Sequence, residues 1–200
     1  MTMVAVAQSV RASDCGSEGC GFDSRQSPLI EETHWDKILH NVTTSPLVSF
    51  LDYYPEMKTK DLSCNVSAVL TMEAARYFNS IGQACRVERT DKDPDLYFSE
   101  LDIAVEIKTT RCRENTNPKW MGGGYSKRSG LNILVAWDRV DTNLDGNHGY
   151  KFYITSCNLD KALWKTLGAD YYATGISLKE IPNRIDIIGT SIKPKFYYVP

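Results

Sequence analysis

DPDLYFSELDIAVEIKTT, residues Asp93 to Thr110, places charged side chains inside segments built for β-strands. In Ile103–Lys108 the branched residues Ile103, Val105 and Ile107 fall on one face, and Ala104, Glu106 and Lys108 on the other. Same-face neighbours on a strand stand about 6.6 Å apart and point the same way, so Glu106 and Lys108 share a surface. Ser99-Glu100 reads as a turn, so Leu96–Phe98 is expected to pair with Asp102–Ile107 as a hairpin. That pairing carries Asp95, at the mouth of the first segment, towards Glu106 and Lys108. Charges inside a strand are costly unless something fills the space between them. A divalent cation and a phosphate would do so. The same pattern without a ligand reads as a surface hairpin with an exposed ion pair.

The donor types narrow the ion. Two carboxylates and a backbone carbonyl are hard oxygen ligands, which suit Mg²⁺. No His or Cys cluster accompanies them, which argues against Zn²⁺. Bound Mg²⁺ would acidify a water and neutralise charge on a phosphoryl group, with Lys108 beside the attacking water or the developing charge.

Pro94-Asp95 followed by Glu106-Ile107-Lys108 resembles the signature of the PD-(D/E)xK nuclease superfamily, which includes most type II restriction endonucleases and several repair and homing nucleases. The resemblance implies Asp95 and Glu106 as metal ligands, the Ile107 carbonyl as a further ligand and Lys108 as the catalytic lysine. Ile107–Thr110 followed by Gly123-Gly124-Tyr125 is also similar to the EcoRV type of restriction enzyme. The core motif covers about a tenth of the chain, and with flanking elements roughly residues 63–160.

Asn65–Ile81 reads as a helix, with Ser63 or Asn65 as cap and Val66, Leu70, Tyr77 and Ile81 along one face. Glu73 falls on that face, where an acid needs a partner. Members of the superfamily often aim a glutamate from such a helix at the metal, so Glu73 joins the candidate site; the other reading is an ion pair or a boundary residue. Strands are expected near 84–89, 95–98, 102–110, 131–140, 151–157, 184–188 and 195–199. Ile30–His40 and Leu159–Leu167 read as further helices, the latter capped by Asn158. Asp141–Tyr150 reads as a loop.

Lys108–Arg128 reads as a DNA-contacting loop. It holds six basic residues, Lys108, Arg111, Arg113, Lys119, Lys127 and Arg128, against one acid, Glu114. The whole chain has net charge −2, so attraction for phosphate must be local. Thr109, Arg111, Arg113, Lys119, Gly123, Gly124, Tyr125, Ser126, Lys127 and Arg128 are the candidate DNA contacts, the glycines allowing close backbone approach. The alternative is a solvated loop.

Two hundred residues with 42% hydrophobic content can bury one ample core. Six cysteines without framework or metal spacing point to a reducing, cytoplasmic setting, and no apolar run approaches the ~20 residues that span a bilayer. Residues 1–28 lack periodicity; Gly21-Phe22-Asp23-Ser24-Arg25 resembles the translation of a conserved transfer-RNA gene segment. They are expected to be a poorly ordered extension, dispensable for cleavage, with residues 29–200 as a single nuclease domain.

The expectation is therefore an α/β fold: a mixed sheet of about five strands flanked by helices, with a restriction-endonuclease-like core. The resemblance implies a type II restriction endonuclease, Mg²⁺-dependent, cutting double-stranded DNA at a short sequence as a homodimer. A repair or homing nuclease would share the site; a DNA-binding module without catalysis would use the basic loop alone.

Overall fold

The computed structural model describes residues 28–45, 59–88, 94–112, 117–122, 130–141, 148–166 and 174–198. Pro28–Ile30 forms a 3₁₀ turn that leads into α1 (Glu32–Thr43). Trp35, Ile38, Leu39 and Val42 recur at helical spacing and are all buried. The Trp35 indole donates to the Leu29 carbonyl at 2.6 Å and pins the entry of the helix.

α2 (Thr59–Ser80) begins six residues before the expected Asn65. Its buried stripe is Val66, Val69, Leu70, Ala74 and Phe78. The stripe is thus rotated from the expected one: Tyr77 is half-buried, and Ile81 lies beyond the helix with 43% exposure. Gly82 ends the helix at φ +83°; its N–H donates to the Asn79 carbonyl at 3.1 Å, and that of Gln83 to Phe78 at 2.9 Å. This is a Schellman ending, which needs a residue that tolerates the left-handed region. The Asn79 amide then brackets the backbone of Cys85, accepting at 3.0 Å and donating at 2.6 Å, and so launches the first strand from the helix end.

The strands of the main sheet are β1 (Cys85–Val87), β2 (Leu96–Phe98), β3 (Ile103–Arg111), β5 (Gly130–Asp141), β6 (His148–Leu159), β9 (Ile185–Ile188) and β10 (Lys195–Tyr198). Their order is β1-β2-β3-β5-β6-β10, with β9 also on β6; β3 and β5 run parallel and the other pairs antiparallel. A second, three-stranded sheet is built from β4 (Lys119–Gly122), β8 (Thr174–Ser177) and β7 (Lys165–Thr166).

The α/β class and the mixed sheet agree with the sequence, but the size does not. Seven strands join the main sheet instead of about five, because the short segments at 185–188 and 195–198 both add to the long β6. Leu159–Leu167 is not a helix: Leu159 still belongs to β6, a 3₁₀ turn covers Lys161–Leu163, and β7 follows. Residues 148–150 are strand rather than loop, held to β5 and β10.

Alternation assigns the layers. Val105, Ile107, Ile133, Val135, Trp137, Phe152 and Ile154 face the two helices in the larger core. Leu134, Ala136, Tyr153 and Cys157 face the other way, against Trp120, Ile176 and Leu178 of the small sheet and its flank. Burial pushes the Cys85 thiol up to about 11 and the Cys157 thiol up to about 12, so both act as small apolar groups. Tyr197 and Lys195 bind Asp36 at 2.6 and 2.7 Å and tie β10 to α1. No helix among the described residues is long and apolar enough to cross a membrane. Residues 1–27 lie outside the described residues.

Candidate active site

The hairpin register decides where the acids meet. Asp102, at φ +52°, closes the 99–102 turn and accepts from the Tyr97 hydroxyl. Phe98 then pairs with Ile103, Tyr97 with Ala104 and Leu96 with Val105. The next position along each strand is Asp95 beside Glu106. β2 has ended there, and the Asp95 carboxylate takes over the ladder by accepting the Ile107 N–H at 2.8 Å.

In a strand a residue's N–H and C=O point to the same side. The Ile107 carbonyl is therefore directed to the edge that Asp95 occupies, away from β5. Glu106 is 5% exposed, and the Lys108 ammonium forms an ion pair with it. The same ammonium stands 4.0 Å from Asp95. One cation thus contacts Glu106 and stands within ion-pair range of Asp95, so the two acids converge on one position. The expected convergence of Asp95, Glu106 and Lys108 is met.

The donor set fits a hard divalent ion. Two carboxylates already share a positive charge, and a strand carbonyl is directed to the same edge. No group of three or more His, Cys, Asp or Glu side chains placed to hold a metal ion occurs among the described residues. An ion held by two carboxylates and one carbonyl has room in a six-fold shell for water or substrate.

Glu73 sits at the edge of the α2 stripe and pairs with Arg76, one turn on, at 2.5 Å. The ion-pair reading of Glu73 thus has its partner in the structure. A scan against protein-family models finds no match, and a search of curated proteins finds no relative.

Two of the candidate DNA contacts have partners within the fold. The Thr109 hydroxyl donates to the Ser63 carbonyl of α2 at 2.8 Å, on the helix side of the sheet. Arg111 donates to Asp138 at 3.0 Å and lies over the Trp137 ring, 5.8 Å from its centre. Asp138 also meets Lys151 at 3.6 Å, so one largely buried acid balances two cations on three neighbouring strands. Sequence reading could not find this pairing, because Asp138 is distant along the chain and reaches Arg111 only through the parallel register. Lys119 is exposed on β4, a strand where a loop was expected. Arg113, Gly123, Gly124, Tyr125, Ser126, Lys127 and Arg128 lie outside the described residues.

Thr109→Val tests the structural role of that hydroxyl. It should cost about 1 kcal/mol in urea unfolding, the worth of one hydrogen bond. Any affinity of the chain for DNA should stay within twofold; a large loss of such affinity with unchanged stability would instead place Thr109 on the nucleic acid.

Proposed function

We propose that the chain is a Mg²⁺-dependent endonuclease that hydrolyses both strands of DNA at a short specific sequence, in the manner of a type II restriction endonuclease. The observation that carries this reading is one ammonium, Lys108, seated against both Asp95 and Glu106 at the point where β2 ends. The order of α2, the β1–β2–β3 meander and the parallel β5 supports a restriction-endonuclease-like core around that point.

Asp95, Glu106 and the Ile107 carbonyl would hold the ion. Mg²⁺, when bound, supplies a water of lowered pKa and neutralises charge on the attacked phosphate. With the carboxylates so engaged, Lys108 is free to donate to the attacking water and to the oxygens on which charge develops. The water attacks phosphorus in line; the new P–O bond forms as the bond to the 3′ oxygen breaks, leaving 5′-phosphate and 3′-hydroxyl ends. Exposed Lys119 supplies one phosphate contact. One site per chain and two strands to cut imply a homodimer on a twofold-symmetric sequence.

Plasmid DNA incubated with the protein and Mg²⁺ should give discrete fragments whose sequenced ends share one short motif, and EDTA should abolish them. Ends with no common motif would turn the reading towards a repair nuclease. No cutting with any divalent ion would end it.

A further inference from the structure

We propose that Asn132 is a third oxygen-bearing side chain of this site: its amide oxygen accepts from a water in the shell of the cation held by Asp95 and Glu106. The inference rests on the nuclease reading and adds a residue to it.

Asn132 of β5 stands in register with Glu106 of β3. Cα partners on neighbouring strands present their side chains on the same face, so Asn132 lies directly beside Glu106, on the side away from Asp95. It is fully buried, in a strand whose neighbours Leu131, Ile133, Leu134 and Val135 are apolar. Its Nδ2 donates to the Gly130 carbonyl at 2.8 Å. A carbonyl only accepts, so the nitrogen faces Gly130 and the oxygen is turned away from it. That Oδ1 has no hydrogen-bond partner among the described residues.

A buried amide oxygen without a donor is costly, and native proteins meet such atoms with water or an ion. The bond to Gly130 accounts for the amide nitrogen but not for the oxygen; leucine would fill a similar volume without the orphan. Glu106 as a carboxylate is an acceptor and cannot serve it. A water on Mg²⁺ is a strong donor, and Mg²⁺ keeps several of its waters. Asn132 is thus a positioning residue, acting through that water.

The test is Mn²⁺ binding to the full chain without DNA, followed by the electron paramagnetic resonance of the free ion, for wild type, Asn132→Leu, Asn132→Asp and Asp95→Asn. Asn132→Leu should bind Mn²⁺ at least about tenfold more weakly, as loss of outer-sphere partners usually does. Its melting temperature in EDTA should stay close to that of wild type, because removing the orphan oxygen offsets the lost bond to Gly130. Asn132→Asp, which keeps the oxygen and adds charge, should bind more tightly. If both variants bind like wild type while Asp95→Asn loses the ion, Asn132 is outside the site and the nuclease reading stands. If Asn132→Leu melts lower in EDTA yet binds Mn²⁺ like wild type, the amide serves the fold alone, against the proposal. If Asp95→Asn binds Mn²⁺ like wild type, the two-carboxylate site itself is wrong.

Discussion

Lys108→Met should reduce DNA cleavage by about 10²–10³-fold, the usual cost of removing a donor aimed at developing charge. The same change should alter stability in a way that depends on the metal. In the wild-type protein the ammonium compensates Glu106, whose side chain is 6% exposed, with Asp95 close by. Removing one partner of a buried pair typically costs about 3–5 kcal/mol. Lys108 itself is 22% exposed, so the low end, about 3 kcal/mol, is expected. Mg²⁺ should restore much of that loss, because the ion takes the place the ammonium has left. In wild type the ion must first displace the ammonium, so the rise in melting temperature with Mg²⁺ should be smaller than in the methionine variant. Thermal unfolding of both proteins, with Mg²⁺ and with EDTA, reads this difference. Equal stability and undiminished cleavage in Lys108→Met would remove the lysine from the site.

Asp95 carries two roles that two substitutions separate. Its carboxylate accepts the Ile107 N–H where the β2 ladder stops, and it supplies negative charge to the shared cation position. Asp95→Asn keeps an acceptor oxygen for the N–H and removes the charge. It should fold with nearly wild-type stability and bind DNA, yet lose cleavage by about 100-fold or more, since metal stabilisation is worth several kcal/mol. Asp95→Ala should lose cleavage to the same extent and also leave the Ile107 N–H without its acceptor, costing a further 1–3 kcal/mol or so. Gel-shift binding, cleavage and urea unfolding on the two variants distinguish these effects. Cleavage that survives in Asp95→Asn would overturn the assignment.

The local half of this site is legible in the sequence. Alternation in Ile103–Lys108 puts Glu106 and Lys108 on one face, and a four-residue turn leaves one register that brings Asp95 alongside. What escapes depends on partners that alternation does not name. Asn132 reads as one polar residue in an apolar strand, and only the parallel pairing of β3 and β5 sets it beside Glu106. The Asp138 partner of Arg111 likewise comes only through the same pairing. The small sheet is built from strands of two to four residues, too short to show a period, and one of them, Lys119–Gly122, lies within a basic stretch that ends in a run of glycines and reads as a loop. Glu73 looks central when the α2 stripe is drawn through Tyr77 and Ile81. The observed stripe through Ala74 and Phe78 turns it to the edge, within reach of Arg76.

Anomalous diffraction from crystals soaked in Mn²⁺ would locate the ion. A peak is predicted between the carboxyl groups of Asp95 and Glu106, with one oxygen of each and the Ile107 carbonyl at roughly 2.1 Å, as for Mg²⁺, and with the Lys108 ammonium withdrawn from Glu106. An ion bound elsewhere, or none, with Lys108 still seated on Glu106 in saturating Mn²⁺, would contradict it.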